Sequence, residues 1–179
     1  MPKWFGGSTL NPNETVKLKN QWMEQFARLR RGYIRVQALK AKSETEQLTA
    51  EDFDTLIVFF QNCYHLRDWL ESTRLELRSD IDALFENNFE MRGCRDICHG
   101  FKHKDLKGPS LDADFNLYIE YDYFAEADQK SNPKVYRIAF ADGNDIRKFT
   151  VFHFAERCLE LWMNFLQDHG LVRVADSTI

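Results

Sequence analysis

The segment from Arg92 to Lys104 concentrates the reactive side chains of this 179-residue chain. It holds Arg92, Arg95, His99, Lys102, His103 and Lys104, with Asp96 as its one acid. Drawn as a helix, Arg95, His99 and His103 fall at i, i+4 and i+8 and share roughly one face. A histidine exchanges protons near neutral pH, and a guanidinium holds phosphate oxygens with two parallel hydrogen bonds. Breaking a phosphodiester without metal needs a base for the 2′-hydroxyl proton, an acid for the leaving oxygen and a cation for the crowded phosphate. Two histidines and an arginine supply all three. The same residues also have a structural reading. Arg95 is expected to pair with Asp68 across two helices, while Lys102 and His103 offset the dipole at a helix C-terminus. Asp68, next to Arg67, can instead orient His99 or His103 as a carboxylate orients an imidazole.

A metal site is the third way to use this segment. Cys94, Cys98 and His99 or His103 offer ligands on one helix, with Cys63 or His65 facing them. The paired short spacings of zinc motifs are absent, and helical cysteines at i and i+4 read as small core residues. No metal and no cofactor is therefore expected. His153, among phenylalanines, reads as a core or boundary histidine, and His169 as the compensated end of a helix.

Charge is segregated beneath a net −4. Residues 15–42 carry Lys17, Lys19, Arg28, Arg30, Arg31, Arg35, Lys40 and Lys42 against Glu24 alone, whereas 111–127 carry acids and no base. A local basic face is possible despite the acidic total, and Arg28, Arg31 and Arg35, with Lys104, are the candidate nucleic-acid contacts. A solvated helix face answered by acids elsewhere is the alternative. The four cysteines form no Cys-x-x-Cys pair, which points to a reduced, cytoplasmic protein. No apolar run reaches the ~18–20 residues of a membrane-spanning helix, and no secretory signal is visible at the N-terminus.

The elements that must position these groups follow from apolar spacing. After an irregular arm over 1–12, Asn13 or Thr15 caps a helix to about residue 42, with Leu18, Trp22, Phe26, Leu29, Tyr33 and Val36 on one side. Thr49 and Asp52 open a second helix, 50–74, apolar nearly all round and hence central. A third, 80–104, carries the reactive segment, weakened by Gly93 and Gly100. Residues 115–124 and 135–140 read as strands, 146–149 as a further short one, and 150–169 as a last helix stopping at Gly170. The expected fold is mainly α: one domain over 1–179, a four-helix bundle with a β-hairpin inserted before the last helix (about 113–141). The aromatics of the hairpin, Tyr118, Tyr121, Tyr123 and Phe124, have acidic neighbours, which suits packing or protein contact better than base stacking.

Two pieces carry a family resemblance: Tyr64-His65-Leu66-Arg67-Asp68-Trp69-Leu70 and Cys94-Arg95-Asp96-Ile97-Cys98-His99-Gly100-Phe101-Lys102-His103. They resemble a widespread group of bacterial proteins with a His-Leu-Arg-Asp-Trp helix followed by a Cys-Arg-Asp-x-x-Asn-x-x-Lys-His helix. His99 stands where that group has Asn. Through it the chain resembles the HEPN superfamily of four-helix, often dimeric, nucleic-acid-associated domains. Many HEPN members are metal-independent endoribonucleases of toxin–antitoxin and phage-defence systems, with an active Arg followed after four to six residues by a His. Arg92 and His99, with six residues between them, fit that spacing; Arg95–His99 and Arg95–His103, with three and seven, do not. The resemblance implies a homodimer acting on RNA, with catalysis among Arg92, Arg95, His99 and His103, and Asp68, Arg67 and Lys102 in support. A non-catalytic module that binds protein or nucleic acid is the alternative.

Overall fold

The computed structural model describes residues 21–102, 115–121, 134–142 and 145–173. The arm over 1–12, the cap at Asn13 or Thr15, and the residues His103 and Lys104 lie outside the described residues, as do 122–127 and the turn residues 131–133 and 143–144. Five helices are described: α1 (Gln21–Ser43), α2 (Ala50–Thr73), α3 (Arg78–Asn87), α4 (Phe89–Lys102) and α5 (Val151–Asp168). Between α4 and α5 runs an antiparallel sheet of β1 (Phe115–Tyr121), β2 (Lys134–Asp142) and β3 (Asp145–Thr150), in the order β1-β2-β3. The expected helical bundle with a β insertion before its last helix is thus the fold observed, and the short piece after the hairpin is its third strand. No described helix is long and apolar enough to cross a membrane.

Local chemistry accounts for the element ends. Thr49 and Asp52 form the anticipated capping box, with Asp52 Oδ2 accepting from Thr49 N at 2.7 Å. Gly170 takes φ +65°, and the Leu171 and Gly170 amides return to the carbonyls of Leu166 and Gln167, the two bonds of a Schellman close. The third predicted helix is divided. Asn88 is extended (φ −119°, ψ 122°), its side-chain amide donates to Leu84 O at 2.8 Å, and its carbonyl accepts from Arg92 N. One asparagine therefore closes α3 and opens α4. A 3₁₀ turn, Leu75–Leu77, precedes α3.

The apolar stripe of α1 is buried as spaced, from Trp22 through Phe26, Leu29 and Tyr33 to Val36. It packs on α2, and Gly32 brings the two backbones close: a Cβ there would lie 3.5 Å from a Phe59 ring carbon. On β2, Tyr136, Ile138 and Phe140 alternate inward and join the same buried cluster as the helices. The Tyr136 hydroxyl accepts from Leu48 N at 2.8 Å, tying the sheet to the connector before α2. Gly93 reads differently here than from propensity alone. It lies where α4 meets the Phe140 and Phe154 rings, so its lack of a side chain is a packing requirement rather than a helix weakness.

Candidate functional site

The reactive segment meets the His-Leu-Arg-Asp-Trp segment where α4 crosses α2. Cys94 and Cys98 are buried, and the Cys94 thiol donates to Phe60 O at 3.3 Å. That orientation turns the next residues, Arg95 and His99, toward the rim of the contact. The His99 ring stands edge-on to Tyr64, centroids 5.1 Å apart. Cys98 Sγ lies 4.0 Å from His65 Nε2. Tyr64 is half-buried, within electrostatic reach of Arg67, Asp68 and Arg95, and burial pushes its hydroxyl pKa up. The result is a rim that carries an imidazole, a phenol and a guanidinium together.

The expected pair of Asp68 and Arg95 is not made. Asp68 is exposed, and the acid beside Arg95 is its own neighbour Asp96, with Arg95 Nε and Asp96 Oδ1 3.8 Å apart. Helix phase is the reason: Asp68 falls one residue off the face that α2 presents to its neighbours. Arg67 takes the inward position instead. Its guanidinium donates to Glu71 at 2.7 Å, to Asp82 of α3 at 2.8 Å and to the Tyr64 hydroxyl at 3.3 Å, over the Phe85 ring. Arg67 is thus occupied with holding α2 to α3. The Arg95 side chain, 29% exposed, has no cross-helix carboxylate among the described residues.

Arg92 and His99 lie two helical turns apart on α4. Seven residues of helix separate them by about 10 Å along the axis. Arg92 lies over Phe89, whose ring packs on Phe140 and Phe149 at the sheet end, while His99 sits at the Tyr64 end. Lys102 closes α4, and His103 and Lys104 are beyond the described residues. His153, read as a core or boundary residue, is exposed, 3.6 Å from Glu156. His169 does end α5, and it also bonds Asp80 of α3 at 3.0 Å, a partner that periodicity does not show.

Three of the basic residues of α1 gather on a second surface. Arg28, Arg31 and Arg35 line a groove of about 320 Å³ between α1 and α2, with Gly32, Asp54, Thr55, Val58 and Asn62. Val58 is 46% exposed, an apolar floor between cations. Glu24 touches Arg28 at 3.5 Å and Arg31 at 3.1 Å, all three side chains being largely exposed. Such pairs are worth about 0–1 kcal/mol, so a phosphate can displace the carboxylate.

Sequence reasoning passed over two features here: the role of Tyr64 as the partner of His99, and the approach of Cys158 to Cys63 and Cys94. The first was visible as a motif residue without a role. The second had no sequence signal, because Cys158 lies 64 residues beyond Cys94. No protein-family model, no curated protein and no solved structure matches this chain.

Proposed function

We propose that the chain is a HEPN-like RNA-binding protein that holds the phosphate backbone in the Arg28–Arg31–Arg35 groove. The observation that carries this reading is the convergence of three guanidinia on one groove with an exposed apolar floor. Arg28 and Arg35 are two helical turns, about 10 Å, apart, a span that suits successive phosphates of a single strand. Val58 offers a contact for a base, and Thr55 and Asn62 offer hydrogen bonds. RNA as the polyanion rests on the family resemblance. Anisotropy of a labelled single-stranded oligoribonucleotide tests it. Three phosphate contacts give a slope of log K against log salt of about −2 on single strands. The Arg28→Glu/Arg31→Glu/Arg35→Glu protein should lose binding, and unchanged affinity in that protein would end the assignment.

Metal-independent cleavage is the second reading, favoured by Arg95 standing clear of Asp68 beside Tyr64 and His99. In this mechanism His99 takes the proton of a 2′-hydroxyl and the 2′ oxygen attacks phosphorus. Arg95 holds the non-bridging oxygens, and His103 protonates the departing 5′ oxygen. A homodimer would double the cluster. RNA cleavage in the presence of a chelator, lost in Arg95→Ala and His99→Ala but with binding retained, is the expected result; a product surviving in both variants removes the reading. A toxin or phage-defence role follows from the resemblance alone, and growth arrest on induction of the wild type but not of His99→Ala is its test.

A further inference from the structure

Cys63 of α2, Cys94 of α4 and Cys158 of α5 meet in the core, each fully buried at 0% exposure. Their sulfur atoms all lie within 4.8 Å of one another. Three helices thus aim three thiols at one point. The Cys94 thiol also donates to Phe60 O and the Cys158 thiol to Glu90 O at 3.5 Å, while Trp162 donates to Cys63 O at 2.9 Å, so the surrounding backbone is held in place. We propose that these three cysteines form a binding site for a soft, three-coordinate thiophilic ion, with trivalent arsenic as its favoured occupant.

Charge decides that choice, and distance allows it. A pyramidal three-coordinate centre with bonds of about 2.3 Å to sulfur places its sulfurs about 3.5 Å apart, so each thiol here needs to move inward by up to roughly 0.8 Å. The site is fully buried, and a net charge left in it is costly. Three thiolates on zinc(II) leave one negative charge and lack the fourth ligand that zinc takes in structural sites. Three on copper(I) leave two negative charges. Three on arsenic(III) leave none. The exchange balances: arsenous acid trades its three hydroxyl groups for three sulfurs, and each thiol proton leaves with a hydroxyl as water. No oxidant or reductant is needed.

Burial pushes the Cys94 and Cys158 thiols well up, keeping them protonated. Entry to a fully buried site requires local opening, so binding should be slow and should quicken in sub-denaturing urea.

The test is titration of the reduced full chain, under a non-thiol reductant and without oxygen, with arsenite, copper(I) and zinc(II) in separate arms. One arsenic per chain is expected, with a sulfur-to-arsenic charge-transfer band and a raised unfolding midpoint. Cys98→Ala should bind as the wild type does. Cys63→Ala and Cys158→Ala should each weaken binding by at least about tenfold, since even outer-shell losses act on that scale. If a variant fails to fold, alkylation of the wild type in sub-denaturing urea replaces it: arsenite should protect three of the four thiols that are labelled in its absence, and equal labelling with and without arsenite would overturn the proposal. Tighter copper(I) than arsenite binding, a lowered unfolding midpoint, or arsenite binding that survives Cys158→Ala would each overturn the proposal.

Discussion

The imidazole of His99 stands edge-on to the ring of Tyr64, with centroids 5.1 Å apart and planes at 84°. The contact joins α4 to α2 and holds His99 at the rim that also carries Arg95. Edge-to-face pairs contribute about 0.5–1.5 kcal/mol beyond the area they bury. A double-mutant cycle of Tyr64→Ala and His99→Ala should therefore show a coupling of that size in urea unfolding. Strictly additive losses would mean that the two rings do not interact.

Arg67 and Asp68 are adjacent in sequence and should differ sharply under substitution. Arg67→Met removes the charged bonds to Glu71 and Asp82 and is expected to cost about 1.5–3 kcal/mol. Asp68→Ala, at an exposed position, should stay within about 0.5 kcal/mol of wild type. Denaturant midpoints decide between them, and the reverse ranking would restore the Asp68–Arg95 pair.

Substitution at Gly93 sets helix propensity against packing. Alanine gains up to about 1 kcal/mol of propensity in a helix interior. Its Cβ would lie 2.8 Å from Phe154 Cζ and 2.9 Å from Phe140 Cζ. Overpacking of that kind costs typically about 1–3 kcal/mol, so Gly93→Ala should be destabilised. Thermal unfolding should also show partial recovery when Phe140→Leu is added.

His169 gives the fold a pH dependence near neutrality. Its Nδ1 bonds Phe165 O at 2.8 Å and its Nε2 bonds Asp80 at 3.0 Å; the backbone carbonyl first, then the carboxylate, raise its pKa above the ordinary 6.5. The folded state therefore favours the imidazolium. Its contribution is complete below about pH 6.5 and is lost as pH rises through the raised value. Stability measured from pH 6 upward should fall more steeply in wild type than in His169→Gln or Asp80→Asn, and parallel curves would sink the assignment.

Much of the architecture is legible in the chain. The stripe Trp22–Phe26–Leu29–Tyr33–Val36, the Thr49–Asp52 box and the Gly170 close are local signals, and each appears where its spacing places it. Helix periodicity and capping act over a few residues, which is the range a sequence displays directly. The break at Asn88 was less visible, because an asparagine in a polar, helix-compatible stretch becomes a boundary only when both flanking helices have somewhere to pack.

The candidate site divides along the same line. That residues 92–104 hold an arginine–histidine cluster, and that α1 is basic, follows from the sequence by itself. Which of those groups face one another does not. A rotation of 100° per residue separates Arg67, clamped between Glu71 and Asp82, from exposed Asp68, and only the packing of α3 against α2 sets that phase. The meeting of Cys63, Cys94 and Cys158 is likewise a product of tertiary structure. Each is a small core residue on its own helix, and the crossing of three helices brings their sulfurs together.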